Sequence, residues 1–321
     1  MLPLDVRPAT SADVSVAAQK FPDLHPDRWR EEGNRRSLVA VLDDVIVGHA
    51  RGIDNTFHPT SRVTVLEVAE DADNRIEVGR ALLRELVAVS RLPLALKVTA
   101  SMTFERQLAR DLGGVAIQAM PRWRHVVSPE FRAWASQHRG EIEAYQERPA
   151  SDALNLQVQH YIAQHASWSP AADPATLRDE LAADDAPEST HPSSVVLRRD
   201  GRTVAAALVW TDVLEPWGGR EVTLVTEHHD DDDARADLEA CLAGVIDRSE
   251  DGAVLLIDSH ATERVETLLA RDLPKPPPTA TDEWTAIVEI PVGTGPEPGA
   301  MPRGILPADA GWIEADFLPQ P

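Results

Sequence analysis

LARDL stands at Leu108–Leu112 and again at Leu269–Leu273 in a chain of 321 residues, a separation of 161. An apolar, strand-like segment follows each copy, and Trp123 answers Trp284 at the same separation, with Val126 and Val127 matching Ile287 and Val288. A repeat of this length has to be found first, because overlooking it misassigns the whole fold. The chain reads as an internal duplication. Upstream, Arg7-Pro8-Ala9 recurs as Arg148-Pro149-Ala150, Leu38–Ala50 resembles Val195–Ala207 at 157, and Val63–Leu66 (VTVL) parallels Val222–Val225 (VTLV) at 159. The step from 141 to 157 implies about sixteen extra residues before the second hairpin, an insertion of the kind loops and helical excursions absorb. The hairpins themselves are two apolar runs around Asp43-Asp44 and Asp200-Gly201, dipeptides suited to tight two-residue turns.

Between these anchors the elements alternate. In the first half a strand over Asp5–Ala9 precedes helices near Ser11–Lys20 and Pro26–Glu31, the hairpin, a strand over Val63–Val68, a helix over Arg75–Ser90, a strand over Leu94–Val98 and a helix over Thr103–Leu112. Val78, Leu82, Leu86 and Val89 form one apolar stripe at helical spacing. The second half repeats the order with Val222–Val225, Asp232–Asp247, Val254–Ile257, Thr262–Asp272 and Trp284–Ile290. The fold class is α/β: two tandem domains, each a mixed, mostly antiparallel sheet flanked by helices. The boundaries read as 1–128 for the first domain, 129–141 for a linker helix, 142–290 for the second domain, and 291–321 for an extended Pro/Gly-rich tail that Trp312, Ile313 and Phe317 could dock.

Fifty-three acidic against 31 basic residues, net −22, argue against a nucleic acid partner and for a small amine or basic peptide. The single cysteine, Cys241, excludes intramolecular disulfides and fits core packing in a reducing compartment. No apolar run is long enough to cross a bilayer, and no basic-then-apolar leader begins the chain. A cytoplasmic protein without a membrane partner is expected, and a monomer, since duplication can replace a homodimer. Glu227, His228, His229 and Asp230–Asp233 bring metal-type donors together, but adjacent residues converge poorly on one ion, and acidic residues suit a helix N-terminus. No metal site is assigned. His49 and His58 are candidates to line a cleft beside the first sheet, and Trp210, Trp217 and Trp284 read as packing before ligand wall.

The order of elements, with VRPATSADV at Val6–Val14 and VLEVAEDADNRIEVGRALLREL at Val65–Leu86, resembles the GCN5-related N-acetyltransferase superfamily in both halves. The resemblance implies acyl-CoA-dependent acetylation of an amine, with acetyl-CoA as co-substrate. It implies that the strand ending at Val68 offers backbone groups to the thioester, and that a loop and helix start bind the pyrophosphate, where free N–H groups and the helix dipole meet an anion. Laid on this sequence, that motif falls on Asn74, Arg75, Glu77, Val78, Gly79 and Arg80, with Glu77 where the family has its first glycine. Glu67, on the central strand, is the general base the resemblance implies; in the second half Glu227 stands at the strand's end. The family's tyrosine acid falls on Ala109 and Ala270, so neither half has it. The acidic run at 228–235 opposes phosphate binding in the second half, leaving the cofactor site in the first. The alternative is a catalytically silent tandem protein serving as a binding or regulatory module.

Overall fold

The computed structural model describes residues 4–28, 35–72, 74–121, 123–145, 150–184, 190–215, 217–228, 232–274 and 283–319. In chain order the elements are β1 (Asp5–Pro8), α1 (Ser11–Ala17), β2 (Arg35–Leu42), β3 (Val45–Asp54), β4 (Arg62–Val68), α2 (Arg75–Val89), β5 (Leu94–Thr99), α3 (Thr103–Asp111), β6 (Val115–Met120), β7 (Trp123–Val126) and α4 (Pro129–Gln137). There follow β8 (Ile142–Ala144), α5 (Ala150–His165), α6 (Pro174–Asp184), β9 (Val195–Arg199), β10 (Arg202–Leu214), β11 (Gly219–Thr226), α7 (Asp232–Arg248), β12 (Val254–Ile257), α8 (Arg264–Asp272), β13 (Thr285–Ile290) and α9 (Gly311–Phe317). Of the helix expected near Pro26–Glu31, residues 26–28 are not helical and residues 29–31 lie outside this description. Among the described residues, no helix is long and apolar enough to cross a membrane.

Two sheets form, ordered β1-β2-β3-β4-β5-β13-β6 and β7-β12-β11-β10-β9-β8. β6, directly after the first LARDL helix, stays in the first sheet, but β7 after it and β13 after the second LARDL helix each join the sheet of the other half: β13 lies between β5 and β6, and β7 runs antiparallel to β12. The compact units are accordingly Met1–Gln118 with Ala286–Pro321, and Ala119–Thr285. The boundaries at 128 and 290 give way to this exchange, and the helix at 129–137 is no linker but part of the second unit's core. Ser128 caps it by accepting from the Phe131 amide, Pro129 occupies the first turn, and Phe131 is fully buried. Arg132 donates to the carbonyls of Ile246 and Ser249, where α7 ends and unpaired carbonyls need donors.

Both hairpins form as read. Asp43 and Asp44 take φ of 48° and 65°, and Asp200 and Gly201 take 51° and 78°, the pair of left-handed residues a two-residue turn requires to match strand twist. The repeated LARDL does the same work twice: Leu108 and Ala109, and Leu269 and Ala270, are all buried to within 1%. In α2, Val78, Leu82 and Leu86 point inward as the stripe predicts. Cys241 is wholly buried in the second core, as packing requires.

Three correspondences shift. Arg148 and Pro149 lie outside the described residues. The strand matching β1 is β8, because Pro8 stands opposite Leu38 and Ala144 opposite Val195, which lengthens the insertion beyond sixteen residues. Val68 pairs with Gly48 and Thr226 with Ala205, so β4 and β11 correspond at 158, one residue from the VTVL/VTLV match. A one-residue slip exchanges the faces of a strand; the counterpart of Glu67 is thus Val225, not Glu227. The tail, read as extended, ends in α9. Ile313 and Phe317 are buried, and Arg106 of α3 bonds Asp316 while its guanidinium lies 4.4 Å over the Trp312 ring.

Candidate active site in the first unit

β4 and β5 are parallel neighbours only at their starts, where Arg62 faces Leu94 and Val63 faces Ala95. Beyond this they part, although β4 continues to Val68 and β5 to Thr99. Arg62 donates its amide to Pro93 on the β5 side, and Ala69 donates to Val47 on the β3 side. Because N–H groups alternate along a strand, Thr64, Leu66 and Val68 turn theirs toward the opened side. Val68, a sequence candidate, thus contributes backbone; its side chain is buried.

Glu67 occupies the face of β4 opposite that of Thr64 and Leu66. It stands across from His49 of β3, whose Nδ1 lies 3.1 Å from its Oε2, too bent an approach for a hydrogen bond. His49 is fully buried, and burial pushes its imidazole down to about 4, so it is neutral near pH 7. Burial, with the charge of Asp23 second, raises Glu67 above the usual carboxylate range. This is a carboxylate biased toward accepting a proton, beside a neutral imidazole, with Phe21 at 6.1 Å from the His49 ring. Arg51 of β3, opposite Val65 of β4, pulls weakly against that shift. His58 sits apart from this pair, in the loop before β4, its carbonyl accepting from Ser61.

The remaining candidates surround the start of α2. Asn74 caps it in the left-handed conformation, φ 58°, with no side-chain capping bond, and its carbonyl accepts from Glu77 and Val78. The Arg75 guanidinium stacks 4.1 Å above the Phe104 ring, and its buried Nε has no hydrogen-bond partner among the described residues. Glu77 turns outward and pairs with Arg80, whose other nitrogen donates to Asp111 at 2.7 Å. Arg80 is therefore already satisfied, whereas Arg75 retains donors. Val78 is a core side chain. Gly79 has a packing role: a Cβ there would lie 2.6 Å from Leu108 Cδ1 and 2.8 Å from Phe104 Cζ. Its smallness lets α3 approach α2, so the motif's last glycine does not open space toward a ligand. At the family's tyrosine position, Ala109 and Ala270 are wholly buried.

The second unit has the same opened strand pair, filled differently. β11 and β12 pair through Val222 and Ile257 and then part. The Thr226 amide, turned to the opening, donates to His160 Nδ1 of α5 at 3.2 Å, and His160 Nε2 lies 3.6 Å from Glu266 of α8, both residues buried. A side chain from the unit's own helix thus holds the backbone position that β4 leaves open. Residues 229–231 of the acidic run lie outside the description.

Comparison with solved structures accords with this topology. A GCN5-related N-acetyltransferase from Kribbella flavida aligns over 88% of this chain and 71% of its own, at 18% identity and a TM-score of 0.51. One from Sphaerobacter thermophilus aligns over 94% and 98%, at 13% and 0.51. A tandem GNAT protein from the clavulanic acid biosynthesis pathway aligns over 92% and 100%, at 13% and 0.52. The chain carries the GCN5-related N-acetyltransferase fold twice. No family model and no curated protein matches the sequence. Both sheets are mixed and flanked by helices, the arrangement the sequence order implied.

Proposed function

We propose that the chain is a cytoplasmic N-acetyltransferase that uses acetyl-CoA to acetylate an amine, with its working site in the first unit. The observation that carries this is the opening between β4 and β5, lined by the amides of Thr64, Leu66 and Val68 and flanked by Glu67. Acetyl-CoA supplies the acyl group as a thioester. Backbone N–H groups fixed along β4 suit an oxygen that gains negative charge during acyl transfer, since donors already oriented need no reorganisation. At the start of α2, the Arg75 side chain and the amides of Arg75 and Ile76, which precede those held by the Asn74 carbonyl, suit a pyrophosphate.

The amine enters as an ammonium and must lose a proton to become nucleophilic. Glu67, raised by burial, accepts that proton directly or through one water. His49 remains neutral and holds the apolar side of the carboxylate. The nitrogen bonds to the acyl carbon as the carbon–sulfur bond breaks; the nitrogen then sheds its second proton to solvent, and solvent supplies the proton that the departing sulfur needs, the two alanines leaving no phenol to give one. In the second unit, His160 occupies the corresponding opening, which supports confining acyl transfer to the first.

The reading is tested by calorimetric titration with acetyl-CoA, using wild type and Arg75→Ala. Micromolar binding weakened roughly tenfold by the substitution supports it. Absence of binding at millimolar acetyl-CoA would favour the silent-module alternative, toward which the tight packing of Gly79 and the engagement of Arg80 already lean.

A further inference from the structure

The second unit contains a cavity of about 710 Å³ between α5 and the β10-β11 face of its sheet. That is within the range of small-molecule sites, about 300–1,000 Å³. It lies chiefly on the face of β11 that carries Glu221, Thr223 and Val225, and His160, which fills the opening with its bond to Thr226, forms part of its wall.

The chemistry of its wall is one-sided. Asp212, Glu221 and Asp258 line it, and among the described residues no Lys or Arg does. Trp210 forms an aromatic wall, its indole N–H fixed by donation to Thr223 Oγ1 at 2.9 Å. Tyr161 lines the same space; burial, then the Asp258 charge, raises its phenol, which therefore stays a neutral donor. The side-chain amide nitrogen of Gln157 adds an independent sign. Gln157 is 5% exposed, lines the cavity, and its Nε2 has no hydrogen-bond partner among the described residues. A buried donor is rarely left unsatisfied in a folded protein, so a group that completes it is expected at this wall. Carboxylates with an aromatic face select a cation, and the Gln157 amide selects an acceptor on the same molecule.

The geometry points to a ligand site in the second unit for a small organic ammonium bearing an apolar body and a hydrogen-bond acceptor. The site lies within a unit whose acyl-donor opening is closed, so it binds without acylating. It does not depend on acetyl transfer in the first unit, and the two are separable by experiment. Tyramine and its neutral counterpart, in which a hydroxyl replaces the ammonium, are titrated into the full chain and followed by calorimetry. The ammonium is expected to bind at least roughly tenfold more tightly than the neutral compound. Asp258→Asn combined with Glu221→Gln should erase that preference, Gln157→Leu should weaken both ligands, and Glu67→Gln should change neither. Circular dichroism confirms that the variants fold. Equal affinity for the two compounds, no binding of either at millimolar concentration, or a loss that follows Glu67 instead of Asp258 and Glu221 would overturn the proposal.

Discussion

Glu289→Gln should make the first unit more stable at neutral and alkaline pH while leaving it nearly unchanged in mild acid. Glu289 lies on β13, the strand exchanged into the first sheet, and is 6% exposed. Burial pushes its carboxyl up to about 7, against which the Ser61 hydroxyl bond acts only partly. Unfolded, the same group titrates near about 4.5. Below that value both states hold the proton and the residue costs nothing. Between about 4.5 and about 7 the unfolded chain releases the proton while the folded one keeps it, so stability falls as pH rises, and the loss is complete above about 7. At about 1.4 kcal/mol per pH unit, the gap corresponds to about 3 kcal/mol. Glutamine retains the shape and a partner for Ser61 but cannot ionise. Urea denaturation of both proteins across this range reads the difference, other titrating groups cancelling between them. A variant-minus-wild-type curve that is flat from about pH 4.5 to about pH 8 would refute the reasoning, because the environment of Glu289 would then not distinguish the two protonation states.

Other substitutions separate roles within the first unit. Glu67→Gln should lower turnover by about 10²–10⁴-fold with acetyl-CoA affinity unchanged, and equal turnover would remove Glu67 from the mechanism. Gly79→Ala should destabilise by about 1 kcal/mol, an overpacking cost of about 1–3 partly offset by the better helix propensity of alanine. Its acetyl-CoA affinity should stay near wild type, and a large loss in the folded variant would return Gly79 to the ligand. Phe317→Ala should cost about 3–5 kcal/mol in a denaturation experiment, since the ring is 3% exposed; a cost under about 1 kcal/mol would mean the tail helix does not share the first core.

The features readable from sequence are those set by near neighbours along the chain. Asp43-Asp44 and Asp200-Gly201 announce their turns because the left-handed conformation is local. LARDL announces helices whose leucine and alanine face inward because helical period is local. The exchange of β7 and β13 has no such signature. After a duplication the same apolar strand fits either of two similar sheets, and a segment's own residues do not state which it joins. The register of β11 differs by one residue from the VTVL/VTLV match, because that match carries no consistent polarity on the strand's outward face; the ladder to β10 decides it. Glu67 and His49 were both visible as candidates, but their juxtaposition depends on the β3-β4 pairing. The packing role of Gly79 is not legible in the sequence, since a glycine for helix packing and one for ligand approach look alike until Phe104 and Leu108 are in place.

The second unit left a signal that such a reading can use. Gln157, His160, Tyr161, Gln164 and His165 recur at helical spacing along α5, and all of them line the cavity. A polar stripe of that period, on a helix whose Ala153 and Leu156 are buried in the core, has no structural task unless something polar is opposite it. His160 answers with the Thr226 amide, Gln164 with His260 at 3.1 Å and His165 with the Tyr161 carbonyl. The Gln157 Nε2 has no hydrogen-bond partner among the described residues. Divergence of the two copies is then most economically a division of labour. The first keeps an open strand pair with a carboxylate beside it, and the second closes that opening from its own helix and keeps the neighbouring acidic, aromatic cavity.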